Sequence, residues 1–116
     1  MEQPWTVELY ETPEGDTPVL DFIHGSGAAA KLTWELDALE QLGFERGGGK
    51  IRPITGVRKL YELRVRYQKQ FYRLFFFPAP GRRLMVVHGM VKKTKKTPKS
   101  EIRRAERRMV EYLGRR

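Results

Sequence analysis

The first residues alternate between apolar and polar side chains in a way that is typical of a half-buried strand. Residues 5–10 read WTVELY, which places Trp5, Val7 and Leu9 on one face. Residues 11–16 contain proline and glycine and predict a loop. We therefore expect the fold to start with one short strand that buries a single face.

Two helices are predicted next. Thr17 followed by Pro18 favours a helix start, because proline suits the first helical position, and a glycine–serine–glycine run ends this first helix. Ser26 is placed to cap a second helix that extends to about Leu42, and Gly43 suits the left-handed residue after a helix end. The apolar residues of the second helix keep helical spacing: Ala29, Leu32, Leu36, Leu39 and Leu42. A helical hairpin is therefore expected after the first strand.

The second half of the chain has the pattern of strands. Three glycines at residues 47–49 predict a connector, since they lack the spacing and the following helix of a phosphate-binding loop. Residues 60–66 read LYELRVR and alternate strictly, and residues 68–70 form a short polar turn. Residues 71–77 read FYRLFFF and predict a central strand that is covered on both faces. Residues 84–91, LMVVHGMV, predict a third strand.

A last helix is predicted to begin at Thr97 and Pro98, after a lysine-rich linker. Its apolar stripe consists of Ile102, Ala105, Met109, Tyr112 and Leu113. The order of elements is therefore strand, two helices, three antiparallel strands and a helix. This order predicts an α+β fold, in which an N-terminal helical hairpin and a C-terminal helix pack on a small antiparallel sheet in a single domain over residues 1–116.

Composition narrows the possible functions. The chain has 116 residues, two histidines and no cysteine. The lack of cysteine excludes disulfide scaffolds, thiolate metal sites and cysteine nucleophiles, and no carboxylates have the spacing of a zinc site with the histidines. No apolar run reaches the length of a membrane span, and the acidic N-terminus does not resemble a signal peptide. We therefore expect a cytoplasmic protein without a membrane partner.

The charges are divided unequally between the two halves of the chain. The formal net charge is +9. Residues 1–49 contain ten acidic and two basic residues, whereas residues 50–116 contain 21 basic and four acidic residues. A basic surface of this density is typical of proteins that bind nucleic acid. The alternative interpretation is a solvated basic surface that serves solubility.

Two arginines are candidate phosphate ligands. Arg64 belongs to the polar face of its strand, together with Glu62 and Arg66, and Arg73 is the one charged residue of the apolar central strand. If the two strands form a hairpin, both guanidinium groups emerge on one sheet face, where they repel each other unless an anion lies between them. The alternative is that Glu62 neutralises one of them.

A lysine run and a histidine are further candidates. Lys92, Lys93, Lys95 and Lys96 lie where the third strand ends and the last helix begins, which indicates either phosphate binding or a solvated loop. His88 has an ordinary pKa that suits proton transfer near neutrality. Strand alternation groups it with the apolar residues Leu84, Val86 and Met90, which favours a structural role over a catalytic one.

The second half of the chain resembles a known family. The segments LYELRVRY at 60–67, YRLFFF at 72–77 and LMVVHGMVKKTKKTP at 84–98, followed by a helix beginning SEIRRAERR, are similar to the phage-derived RelE/HigB-like toxins of the RelE/ParE superfamily. The resemblance covers about residues 50–113. It implies the RelE-like fold and the toxin role in a type II toxin–antitoxin pair.

The resemblance also implies a reaction. Such toxins are endoribonucleases that cut messenger RNA, commonly on the ribosome, without a metal or a cofactor. The 2′-hydroxyl of the RNA attacks the neighbouring phosphate. Arg64 and Arg73 match positions that stabilise the phosphorane, and Lys92 and Lys93 match positions that bind phosphate or relay protons, with His88 as a further catalytic candidate. We expect other basic residues to bind the RNA backbone: Lys50, Arg52, Arg58, Arg66, Lys95 and Lys96.

The implied partner is a cognate antitoxin, a helix-turn-helix protein encoded beside the toxin. The acidic half, and in particular the helical hairpin and the strand at residues 5–10, is where we expect it to dock. Many relatives end in a strand or tail that carries an acid–base residue, whereas this chain ends in a basic helix, so the general acid and base stay open, with His88 and Lys92 as candidates. Two alternative functions remain at this point: a non-catalytic nucleic-acid-binding module that acts with a partner, and a phage or prophage structural protein.

Overall fold

The computed structural model describes residues 4–115, and residues 1–3 and 116 of the predicted domain lie outside the described residues. The elements are β1 (Thr6–Leu9), α1 (Pro18–Gly25), α2 (Ala29–Leu42), a 3₁₀ turn (Gly43–Glu45), β2 (Ile51–Pro53), β3 (Tyr61–Tyr67), β4 (Gln70–Ala79), β5 (Arg83–Lys92) and α3 (Lys99–Leu113). The strands form one sheet in the order β1-β5-β4-β3-β2. β1 runs parallel to β5, and the other neighbours are antiparallel. The predicted α+β fold is confirmed.

The sheet has helices on both faces. The hairpin of α1 and α2 covers one face, where Leu74 and Phe76 of β4 pack against it. α3 covers part of the other face, against Phe75 and Phe77. All of these β4 side chains are fully buried, and each such side chain contributes about 1.5–3 kcal/mol to stability. The prediction that the FYRLFFF segment is covered on both faces is therefore confirmed for residues 72–77, whereas Phe71 is 43% exposed.

The predicted helical hairpin is confirmed, but the prediction that Ser26 caps the second helix is wrong, because Ser26 is the C-cap of α1 and Ala28 is the N-cap of α2. Ser26 links the two helices, because its hydroxyl donates to the Ile23 carbonyl at 2.8 Å and accepts the Ala28 N–H at 3.0 Å. After α2 the chain turns at Gly43, whose φ is +55°. A Cβ at this position would also overlap the Trp5 ring. Glycine is thus required both by its backbone conformation and by the close approach of the Trp5 ring.

Three features differ from the sequence prediction. β2 is an additional short edge strand, in which Ile51 pairs with Leu63 of β3. A register shift between β4 and β5 at Phe75/Phe76 moves His88 to the α3 face, so its predicted grouping with Leu84 and Val86 is wrong. A β-bulge inserts one residue and thereby reverses the alternation beyond it. Leu113 ends the predicted apolar stripe of α3 but is 46% exposed.

Candidate functional site

The strand register collects basic side chains on the α3 face of the sheet. Residues directly opposite each other in an antiparallel pair project to the same face. Arg64 is paired with Arg73, which confirms that both arginines emerge together. Arg66 and Lys92 both oppose Phe71, and Arg52 opposes Glu62. We call this surface the cationic face: Arg52, Arg64, Arg66, Arg73 and Lys92.

Arg73 is the most deeply buried cation of this surface, with 4% of its area exposed. Its Nη1 donates to the Tyr72 carbonyl at 3.0 Å, and its Nε lies 3.6 Å from Glu62 Oε2 without forming a hydrogen bond. Burial lowers the pKa of Arg73, the Glu62 carboxylate opposes this effect, and the neighbouring Arg64 and Arg52 lower the pKa further. Glu62 therefore pairs with Arg73, as the alternative interpretation expected, but one carboxylate faces several guanidinium groups.

A solvent-open depression of about 340 Å³ lies beside Arg73. Its lining residues come from β4, the end of β5 and the linker to α3: Phe71, Arg73, Lys92, Lys93, Thr94 and Lys95. Lys92 is half-buried, and its pKa is lowered by burial first and by the Arg73 guanidinium next. The Thr94 hydroxyl donates to the Lys96 carbonyl at 2.6 Å, which orders the linker. A guanidinium at the base and ammonium groups at the rim suit one phosphate.

The other predicted RNA-binding residues are placed differently. Arg66 is exposed and lies over the Phe71 ring at 5.4 Å, next to the depression. Arg58 is exposed in the loop between β2 and β3 and does not line the depression. The Lys50 ammonium lies 3.6 Å from Glu35 Oε2 on α2 and is engaged there. Lys95 and Lys96 are exposed in the linker.

His88 is enclosed beneath α3 and does not line the depression. It is 6% exposed, its Nε2 lies 2.6 Å from Glu101 Oε2, and its Nδ1 lies 3.1 Å from Arg108 Nη1. A guanidinium can only donate, so Nδ1 accepts and Nε2–H donates to Glu101, which defines a neutral ring. Burial lowers the pKa of His88, against the raising effect of Glu101. These contacts favour the structural role.

The sequence reasoning missed a buried carboxylate on the other side of the sheet. Glu35 of α2 has no exposed area and is surrounded by cations. Its oxygens contact Arg46 directly, Lys31 at 3.3 Å and Lys50 at 3.6 Å. Helical spacing could have indicated that Glu35 is buried, because Glu35 falls within the apolar stripe of α2. No three histidine, aspartate or glutamate side chains within residues 4–115 converge closely enough to hold a metal ion.

The site is thus an open depression on the sheet, lined by guanidinium and ammonium groups whose charge is complementary to an anion. The chain matches the family of phage-derived Gp49-like proteins (DUF891) over residues 26–110, and it belongs to this family. The matched region includes the whole cationic face and most of α3. No curated protein matches the chain. None of the helices within residues 4–115 is long and apolar enough to span a membrane.

Proposed function

We propose that this protein is the RelE/HigB-like toxin of a type II toxin–antitoxin pair and that it cleaves messenger RNA as a metal-independent endoribonuclease. The observation that carries the proposal is the buried Arg73, which lies opposite Arg64 and beside a depression rimmed by lysines. The phage-derived family is compatible with this role, and the resemblance of the strands and the lysine run supplies the reaction.

In the proposed reaction the 2′-hydroxyl oxygen attacks the adjacent phosphorus and the P–O5′ bond breaks. The products are a 2′,3′-cyclic phosphate and a free 5′-hydroxyl. Arg64 and Arg73 neutralise the extra negative charge of the phosphorane, because planar guanidinium groups match two phosphate oxygens at once. The Lys92 ammonium protonates the leaving O5′, and its lowered pKa makes it a stronger acid. The proton of the 2′-hydroxyl passes to water, and Lys93 holds the phosphate.

Purified protein tests this proposal directly. RNA of defined sequence is incubated with the protein in the presence of a chelator, with and without ribosomes, and the ends of the fragments are analysed. We expect cleavage that leaves cyclic phosphate and 5′-hydroxyl ends. Intact RNA under both conditions, or cleavage that the chelator abolishes, would contradict the proposal. In cells, induction of the chain alone should arrest growth, and the neighbouring gene should restore it.

A second candidate function is a nucleic-acid-binding module without catalysis. One observation favours it: His88 is held by Glu101 and Arg108 and does not line the depression, whose titratable side chains, within the described residues, are lysines and Arg73. Tight RNA or DNA binding without cleavage, combined with normal growth on induction, would support this candidate over the toxin.

We further propose that the antitoxin docks on the acidic half of the chain. α1, α2 and β1 form an open, mainly apolar groove that is lined among others by Leu9, Leu20 and Leu36. The Glu40 carboxylate accepts the Val7 N–H at 2.8 Å. Side chains of the protein itself therefore cover the outer edge of β1 only in part. Hydrogen exchange with and without antitoxin is the test. Protection at residues 5–42 is expected, and protection confined to residues 58–96 would mean that the antitoxin covers the cationic face instead.

A further inference from the structure

The outer side of α3 carries a row of cations that the proposed chemistry does not use. α3 buries Ala105 and Met109 against the sheet. Its exposed side presents four basic residues over two to three turns: Lys99, Arg103, Arg104 and Arg107. Throughout the described part of the chain, none of these four forms an ion pair with a carboxylate. We call this row the α3 stripe.

The carboxylates of α3 do not neutralise the α3 stripe. Glu101 bonds to His88, and Glu111 bonds to Tyr10 and Arg115. Glu106 lines the shallow surface around Arg103 but makes no ion pair with it. Within residues 4–115, the α3 stripe therefore has no carboxylate at ion-pair distance.

The arrangement of these charges opposes helix formation. Lys99, Arg103 and Arg107 follow one another at i, i+4 spacing, and like charges at this spacing destabilise a helix. Lys99 is also the first residue of α3, at the positive end of the helix dipole, and no side chain caps this end. A polyanion bound along the α3 stripe would remove all of these penalties.

The α3 stripe continues the cations of the depression. Lys92, Lys93 and Lys95 line the depression. Further basic residues follow along the chain with at most three residues between one and the next: Lys96, Lys99, Arg103 and Arg107. At a rise of 1.5 Å per residue, the helical part from Lys99 to Arg107 extends the row by about 12 Å. α3 packs on the same sheet face that bears the cationic face. The charges thus follow one another along the chain from the depression onto the outer side of α3.

We propose that the α3 stripe binds the phosphate backbone of the RNA strand beyond the phosphate held at Arg73. The choice of RNA as the ligand rests on the proposed function. The α3 stripe offers guanidinium and ammonium groups without an aromatic side chain among them, which suits phosphates rather than bases. The expected contribution is affinity that is independent of sequence and sensitive to salt.

The test measures binding of non-cleavable RNA. Fully 2′-O-methylated oligonucleotides of about 4 and about 20 nucleotides bind without being cut, and their affinities are measured against salt concentration. The variants are Arg103→Gln/Arg107→Gln and the charge-retaining control Arg103→Lys/Arg107→Lys. Arg115→Gln serves as a second control, because this exposed arginine is already paired with Glu111.

The glutamine variant should bind the long oligonucleotide more weakly, with a logarithmic salt slope that is smaller by about 1.4, since two phosphate contacts on a single strand are lost. Its affinity for the short oligonucleotide should be that of the unchanged protein. The lysine variant and Arg115→Gln should keep the slope for the long oligonucleotide. The glutamine variant should also melt no lower than the unchanged protein, because like-charge repulsion in α3 is removed.

An unchanged slope for the long oligonucleotide would overturn the inference, as would an equal loss for both lengths. An unchanged RNA slope together with weaker antitoxin binding would overturn it in favour of an acidic protein partner. Cleavage does not enter this measurement, because the methylated RNA lacks the attacking hydroxyl. Failure of the protein to cut unmodified RNA would therefore contradict the proposed function and leave this inference standing.

Discussion

Replacement of Arg73 by alanine removes the most deeply buried cation of the cationic face. In the proposed reaction this guanidinium faces the charge that develops on the phosphorane. The loss of one such contact lowers the rate by about 10²–10³, which corresponds to roughly 3–4 kcal/mol. Arg73→Lys should recover little of this rate, because an ammonium group cannot bind two phosphate oxygens in a fixed plane.

The same change also affects stability, and the structure indicates how to separate the two effects. Glu62 is 9% exposed and its nearest cation is the Arg73 Nε at 3.6 Å. Removal of that cation takes away the ion-pair partner of a nearly buried carboxylate, at a cost of about 1–3 kcal/mol. The double variant Glu62→Gln/Arg73→Ala should regain most of this stability but none of the rate.

The pH dependence of the variant supplies a separate readout, which tests Lys92 as the general acid. The pKa of Lys92 is lowered by burial and then by the Arg73 guanidinium. Without Arg73 this pKa rises toward its ordinary value. If Lys92 is the general acid, the alkaline limb of the residual activity must move to higher pH in Arg73→Ala.

The assay is single-turnover cleavage of a labelled RNA at saturating protein, measured across pH. Thermal unfolding and circular dichroism establish that each variant is folded. Arg115→Ala is the matched control, because it removes one arginine that is 38% exposed and bonded to Glu111. Full cleavage by folded Arg73→Ala would refute the assignment. If Arg73→Ala cleaves more slowly but the double variant Glu62→Gln/Arg73→Ala cleaves at the normal rate, Arg73 acts only through the fold.

Two further predictions concern charged groups around the depression and on α2. Neutralising the outer lysines, Lys95 and Lys96, should weaken RNA binding and reduce the logarithmic salt slope by about 1.4, while cleavage at saturating protein persists. Neutralising Lys92 and Lys93 should instead lower the cleavage rate at saturating protein. If both pairs change only the affinity for RNA, all four lysines act only as electrostatic contacts. Glu35→Gln should lower the free energy of unfolding, measured with denaturant, by about 3 kcal/mol, since several cations lose a buried carboxylate. A loss below about 1 kcal/mol would mean that solvent already screens the ion pairs of Glu35.

The convergence of Arg64 and Arg73 could be predicted because the sequence leaves little freedom in the hairpin. β3 alternates strictly, and the turn to β4 consists of Gln68 and Lys69, both with positive φ. A two-residue turn of this kind fixes the register of the strands that it joins. Once the register is fixed, the face of every side chain follows from the pattern alone.

The position of His88 could not be predicted from alternation. One inserted residue in β5 reverses the faces beyond the bulge, and the run LMVVHGMV is too uniformly apolar to show where the reversal occurs. The ion pair between Lys50 and Glu35 could not be predicted for a different reason. These residues belong to different elements and meet only when α2 packs on the sheet, so no local pattern reports their contact. β2 is too short, at three residues, for alternation to be recognised.

The neutral form of His88 predicts how stability depends on pH. Burial keeps the pKa of His88 in the folded protein below its ordinary value, while an unfolded histidine titrates near ~6.5. Below that pH the unfolded chain binds a proton that the folded protein does not. The free energy of unfolding must therefore fall as the pH decreases from about 6.5 toward the lower folded pKa, and it must be unaffected by this group above 6.5.

His88→Gln removes this titration while its amide can still donate to Glu101. The free energy of unfolding is measured for the unchanged protein and for His88→Gln from neutral to mildly acidic pH. As the pH falls, the unchanged protein should lose stability relative to His88→Gln. The charged groups around the ring are Glu101, Arg104 and Arg108. If the attraction of Glu101 outweighs burial and the two arginines, the ring is protonated more readily when folded, and the difference must change with the opposite sign. A difference of that sign would contradict the neutral ring inferred from the Arg108 contact.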